Sequence, residues 1–236
     1  MGGDLRAKGV ARAYGARRAF RKARAGLAGL AGAVWLALSP AMAEPVTVAA
    51  LGDSLTQGYG LPQADGFVPQ LQRWLEAQGE EVALINAGVS GDTTAGGLSR
   101  VDWTLTPDVD AMIVALGGND LLRGIDPSVS RANLDGILAK AQARGLPVLL
   151  VGLVAPGNYG PEYKASFDAM YPELAETYGT LHVDSFLGAL TAQVDQVQAV
   201  RDYMQSDGIH PNADGVALIV EALGPEVQAL IDRASP

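Results

Sequence analysis

The chain has 236 residues, 48% of them hydrophobic, with two histidines and no cysteine. The absence of cysteine excludes disulfides, thiolate nucleophiles and Cys-ligated zinc, and this length and apolar content suit one α/β domain with a full core. Eight of the 17 basic residues but only one of the 26 acidic ones fall in the first 43 positions, leaving the remainder with a formal net charge of −16; that balance argues against nucleic acid as a partner, which needs clustered Lys and Arg.

Residues 1–43 read as an export signal. Arg6, Lys8, Arg12, Arg17, Arg18, Arg21, Lys22 and Arg24 precede an apolar and small-residue run from Ala25 to Ser39, followed by Ala41-Met42-Ala43. A basic stretch, a short apolar stretch and a small-x-small site predict cleavage after Ala43. The apolar run is short and rich in Ala and Gly, which disfavours a membrane span; a retained anchor helix is the alternative. Arg17-Arg18-Ala19-Phe20-Arg21-Lys22 resembles a twin-arginine export motif, and a Sec signal with a chance Arg pair is the other reading. The expected mature domain is 44–236, periplasmic or secreted.

Five apolar runs then predict strands at Val46–Leu51, Val82–Asn86, Ala111–Leu116, Val148–Val154 and Leu181–Asp184. Most are continuous rather than alternating, as in strands buried on both faces of a parallel sheet. Helical spacing appears between them. Phe67, Leu71, Trp74 and Leu75 predict a helix ending near Gly79. Asp126-Pro127 is an N-cap and first turn leading into Ala132–Ala143. Pro161 opens a segment carrying Phe167, Met170 and Leu174 that Pro172 is expected to bend or interrupt. Asn212 caps a last helix with Val216, Ile219, Leu223, Val227 and Leu230 on one face. Strands alternating with helices predict one three-layer α/β/α domain.

In open parallel sheets ligands bind outside the carboxyl ends of the strands, and four clusters fall at such places. Gly52-Asp53-Ser54-Leu55 follows the first strand, and a serine at a strand-to-helix junction is exposed beside a positive helix end. Asn86-Ala87-Gly88-Val89-Ser90-Gly91-Asp92-Thr93 follows the second, where Asp92 or Thr93 can cap a helix and Ser90 is a rival nucleophile without a placed partner. Gly117-Gly118-Asn119-Asp120 follows the third; Asn119 can offer an N–H₂ donor to an oxyanion. Ser206-Asp207-Gly208-Ile209-His210-Pro211 precedes the last helix. Serine chemistry needs an imidazole base and a carboxylate to hold its tautomer. His182 lies within an apolar strand, so His210 is the well-placed base and Asp207 its partner. Each cluster alone is as often an ordinary turn.

Their order resembles the SGNH (GDSL-type) hydrolase family, whose four blocks supply Ser, Gly, Asn and His. Here they read Gly-Asp-Ser-Leu at 52–55, Gly88, Gly-Gly-Asn-Asp at 117–120 and Asp-Gly-Ile-His-Pro at 207–211. The strings 86–93, 117–124 and Pro156-Gly157-Asn158-Tyr159-Gly160 are similar to its multifunctional thioesterase/protease/lysophospholipase subgroup. The resemblance implies a flavodoxin-like five-stranded parallel sheet and a triad of Ser54, Asp207 and His210. It also implies an oxyanion hole of the Ser54 and Gly88 N–H groups with the Asn119 side chain. It implies acyl-chain contacts from two loops, here carrying Leu121, Leu122, Ile125, Val154, Pro156 and Tyr159, with Gly157 standing where a larger residue is usual.

Hydrolysis of acyl esters or thioesters (medium-chain, lysophospholipid or aryl) by a monomer without metal or cofactor is the resulting expectation. An acetyltransferase, a carbohydrate deacetylase or a ligand-binding protein of the same family is the alternative.

Overall fold

Each of the five apolar runs forms a strand: β1 (Val46–Gly52), β2 (Val82–Gly88), β3 (Ala111–Ala115), β4 (Val148–Val151) and β5 (Leu181–Val183). All neighbours pair in parallel in the order β2-β1-β3-β4-β5, the flavodoxin-like arrangement. These elements belong to a computed structural model that describes residues 45–192 and 195–235; the export signal expected over 1–43 lies outside the described residues. Among the described residues no helix is long and apolar enough to cross a membrane.

Side chains alternate between the two faces of the sheet, so each interior strand feeds two cores. Val48, Ala50, Ile113, Leu149 and Val151 pack beneath α2 (Phe67–Gln78) and α8 (Ala213–Ala234). Ala49, Leu51, Met112, Val114 and Leu150 pack beneath α3 (Thr94–Thr104), α5 (Pro127–Ala143) and α6 (Pro161–Tyr178). Two short helices, α1 (Ser54–Gln57) and α4 (Gly118–Leu122), sit at the carboxyl ends of β1 and β3. A further helix, α7 (Gln196–Tyr203), was not foreshadowed by a long apolar face.

Local chemistry sets the helix ends. Gly79 closes α2 at φ +90°, Asp126 accepts from Ser128 N–H with Pro127 at the first turn of α5, and Asn212 accepts from Gly215 N–H at the start of α8. Two expectations are corrected. Helix α6 runs unbroken through Pro172, because Phe167, Met170, Tyr171 and Leu174 are buried on both sides of it and outweigh the lost hydrogen bond. Strand β4 stops at Val151 rather than reaching Val154, so Leu153 and Val154 leave the sheet at its functional edge.

The carboxyl ends of three strands are aligned: Gly52 pairs with Gly88 on one side and Ala115 on the other. Chain connections diverge between β1 and β3, which opens a crevice there. Gly88 also permits α1 to lie against β2, since a Cβ there would stand 2.3 Å from the Gln57 nitrogen and 2.9 Å from the Asp53 carbonyl oxygen. Backbone cannot step aside as a side chain can. Gly88→Ala is therefore expected to lower the urea midpoint of unfolding by the equivalent of about 1–3 kcal/mol with the slope unchanged.

Candidate active site

Ser54 is the first residue of α1, and Asp53 is its N-cap, accepting from Leu55 N–H at 3.0 Å. The tight strand-to-helix turn points the Ser54 hydroxyl into the crevice between β1 and β3. There the Ser54 Oγ lies 2.9 Å from His210 Nε2, and His210 Nδ1 lies 2.6 Å from Asp207 Oδ2. The second Asp207 oxygen accepts from the N–H groups of Ile209 and His210 at 2.9 and 3.0 Å. Gly208, at φ +65°, supplies the left-handed step that folds Asp207 back under the imidazole.

The histidine loop is anchored from several directions. Gln205 N–H donates to the His210 carbonyl at 2.7 Å, Asn212 N–H to Tyr203 at 2.8 Å, and Gln205 Nε2 to the Tyr59 carbonyl at 2.8 Å. The Tyr59 ring packs on the imidazole with centroids 4.6 Å apart. A loop so held presents the imidazole in one orientation, with the Asp207 carboxylate selecting the Nδ1–H tautomer and leaving the Nε2 lone pair toward Ser54. The other histidine, His182, sits on edge strand β5 with Nδ1 3.6 Å from Asp184, where burial lowers its pKa. Ser90 donates to Gln57 Oε1 at 2.5 Å and has no imidazole beside it.

Asn119, in the first turn of α4, faces Ser54 across the crevice, its Nδ2 3.4 Å from Asp53 Oδ2. Gly88 does not match the expected oxyanion role. Its N–H donates to Asn86 Oδ1 at 3.0 Å, and its Cα is packed against the α1 backbone. Three residues on, Gly91 stands exposed at φ +80° in the turn closed by Asp92 N–H to Val89. Its carbonyl accepts from Arg123 Nη2 at 2.7 Å, and among the described residues its N–H has no partner. The Ser90–Gln57 bond ties that turn to α1, and Arg123 ties it to the end of α4. A free N–H thus stands between the elements that carry Ser54 and Asn119.

A cleft of about 810 Å³ opens beside Ser54 and Asn119. Leu121, Leu122, Val154 and Pro156 line it; Ile125 and Tyr159 do not. The Ile125 carbonyl accepts from Tyr163 Oη at 2.9 Å, and Tyr159 lines a separate, more polar cavity with Tyr163, Arg131 and Glu162. Sequence reasoning missed Leu153, Leu187, Met204 and Ile209, which complete the cleft wall. It also missed Asp120, a buried carboxylate accepting from Thr94 N–H, Thr94 Oγ and Ser130 Oγ at 2.8, 2.6 and 2.9 Å, which locks α4 to the starts of α3 and α5. Its place beside Asn119 was the only available signal.

The model of the GDSL-like lipase/acylhydrolase family matches residues 50–218. Esterase TesA of Pseudomonas aeruginosa is 37% identical over 203 residues, spanning 86% of this chain and 98% of that protein. Thioesterase 1/protease 1/lysophospholipase L1 of Escherichia coli K12 is 32% identical over 191 residues, spanning 80% and 86%. The solved structure of AlinE4, described as an SGNH-hydrolase family esterase, is 43% identical, covers 80% of this chain and 97% of its own, and superposes with a TM-score of 0.65.

Two carboxylates flank the serine in opposite electrostatic states. Asp207 is held down at about 2 by the imidazole hydrogen bond and then by the two backbone N–H groups. Asp53, only 2% exposed, is pushed up to about 6 by burial, eased by the Leu55 N–H, the Asn119 amide and the nearby His210. Linkage gives each a sign. A raised carboxyl stabilises the fold fully below its unfolded value, near 3.8, and loses that stabilisation as pH rises through about 6. Asp207 acts the other way: its contribution is present above 3.8 and lost as pH falls toward about 2. In urea titrations between pH 4 and 7, Asp53→Asn is expected to remove a decline on the order of 2–3 kcal/mol that the parent chain shows across this window.

Proposed function

Because the chain belongs to the GDSL-like lipase/acylhydrolase family, we propose that it is an exported serine esterase/thioesterase working through an acyl-enzyme on Ser54. The observation that carries this reading is the continuous relay from Asp207 Oδ2 through His210 to Ser54 Oγ, with links of 2.6 and 2.9 Å. Ser54 Oγ attacks the acyl carbonyl while His210 Nε2 takes its proton, and Asp207 stabilises the imidazolium so formed. The oxyanion is received by the N–H of Ser54, the Asn119 amide and the N–H of Gly91 rather than that of Gly88. Collapse expels the alcohol or thiol, protonated by His210; water, deprotonated by the same base, then releases the acid.

The acyl group occupies the cleft bounded by Leu121, Leu122, Leu153, Val154, Pro156 and Ile209. A cleft of that size and apolar character favours medium acyl chains over acetyl. The names of the relatives, esterase and thioesterase/lysophospholipase, accord with ester and thioester substrates. Export rests on the basic, apolar and Ala-Met-Ala pattern of residues 1–43.

Ser54→Ala is expected to abolish covalent labelling by a fluorophosphonate and to cut hydrolysis of p-nitrophenyl butyrate by about a thousandfold or more. Across p-nitrophenyl esters of graded length, kcat/KM of the parent chain should rise from acetate to a medium chain. Labelling that persists in Ser54→Ala, or a folded chain that turns over no ester or thioester, would refute the reading and favour acyl transfer or binding.

A further inference from the structure

Arg100, on α3, makes three hydrogen bonds with one guanidinium. Nη2 donates to the Gly52 carbonyl at 2.8 Å, Nη1 to the Ala87 carbonyl at 2.7 Å, and Nε to Asp92 Oδ2 at 2.7 Å. The three acceptors lie on the two stretches of chain that carry the backbone oxyanion donors. Gly52 is two residues before Ser54, while Ala87, next to last in β2, and Asp92 stand on either side of Gly91. The last ladder bond between β1 and β2 is Val89 N–H to the same Gly52 carbonyl, so beyond that point no strand pairing fixes their separation. The guanidinium takes over where the ladder stops.

The surroundings are built for this contact. Arg100 and Asp92 side chains are only 22% and 14% exposed, which shields a charge-assisted pair from water. One turn before Arg100, Gly96 leaves room for the Asp92 carboxylate; a Cβ there would stand 1.6 Å from Asp92 Oδ1. Planar, forked geometry lets a single side chain reach two carbonyls and a carboxylate at once, which a lysine ammonium does not reproduce.

We propose that Arg100 is a positioning residue for the oxyanion hole: it clamps the ends of β1 and β2 and the Gly91 turn so that the Ser54 and Gly91 N–H groups converge on one point. This rests on the serine-hydrolase reading above. Donors that stabilise a developing charge work by being fixed before the charge appears. Loosening the clamp therefore weakens the tetrahedral oxyanion more than the ground-state carbonyl, and the loss falls on kcat rather than KM.

The test compares the parent chain with Arg100→Met, Arg100→Lys and Asp92→Asn, using Arg131→Met at the exposed Arg131–Glu173 pair as a control. Active sites are counted by fluorophosphonate titration. For each protein kcat and KM on p-nitrophenyl butyrate are then expressed per titrated site, and the inhibition constant of an alkyl boronic acid, which forms a tetrahedral anion on the serine, is measured. Arg100→Met is expected to lower kcat per site by roughly 10- to 100-fold with KM within about threefold, and to weaken boronate binding in step with kcat/KM. Arg100→Lys and Asp92→Asn should fall between, and Arg131→Met should match the parent. A purely structural role would lower Tm and the titrated fraction but leave kcat per site and boronate affinity unchanged, which overturns the proposal. If Arg100→Met does not fold, unchanged values in both Arg100→Lys and Asp92→Asn overturn it equally. Failure of the parent chain itself to titrate would refute the serine-hydrolase reading instead.

Discussion

Strand register is the constraint on which the candidate site depends. Gly52 lies level with Gly88 and Ala115, so three loops leave the sheet from a common height. One carries Ser54, one the Gly91 turn and one Asn119. A slip of one residue between β1 and either neighbour would exchange the faces of a whole strand and move one loop by about 3.3 Å. The two cores resist that slip, because the alternating side chains of β1 and β3 are divided cleanly between them. Packing far from the cleft thereby sets the distances within it. The fourth component, the loop bearing His210, arrives from outside the sheet, and its position is set by its own bonds to Tyr59, Tyr203 and Asp207.

Glycine and arginine divide the labour at that common height. Where chains must touch, Gly88 removes the Cβ that would strike the α1 backbone. Where they must be held apart at a fixed distance, Arg100 spans the gap. Both buried carboxylates in this region are hydrogen-bonded: Asp120 receives three donors, and Asp53 receives a backbone N–H and the Asn119 amide. Asp53 remains the strained member. Burial raises the free energy of its charge, yet it stands next to Ser54 and near His210, so its protonation state couples the stability of the fold to the electrostatics of the site.

Much of this was legible in the sequence, for reasons that differ by residue. Continuous apolar runs marked the inner strands β1, β3 and β4 because these are buried on both faces, whereas the edge strands β2 and β5 are only partly buried and were marked by apolar content alone. Gly79, Asp126 and Asn212 marked helix ends because capping is local chemistry. Ser54, Asn119 and the Asp207–His210 loop were singled out because each follows a strand or precedes a helix, and the fold brings them to one crevice. Gly88 was expected as a donor on the resemblance alone, and only three-dimensional hydrogen bonding reveals that its N–H is already engaged. Arg100 and Asp120 gave little signal, since most of what they bind is backbone or hydroxyl supplied by other segments of the chain. The far wall of the cleft, including Leu187 and Met204, was invisible for the opposite reason: apolar residues in loops carry no periodicity.

Part of the cleft wall stands apart from the relay: Leu121 and Leu122 lie on α4 and Ile209 in the histidine loop, but Leu153, Val154 and Pro156 belong to neither. The relay atoms are tied to the end of β1 and the loop before α8, whereas the cleft wall between β4 and α6 has its own support. Ala155 in that wall is gripped at both backbone groups, its N–H donating to Asp168 Oδ1 at 2.8 Å and its carbonyl accepting from Lys164 Nζ at 2.7 Å, while Lys164 and Asp168 pair at 2.6 Å. Val154 and Pro156 on either side of Ala155 project from a fixed backbone, and neither takes part in bonds that hold Ser54, His210 or Asn119. Their side chains can therefore change in size without moving the relay. Such an arrangement lets the shape of the cleft vary while the Asp207–His210–Ser54 geometry stays fixed, the physical counterpart of finding relatives named for esterase and for thioesterase/lysophospholipase activity in one family.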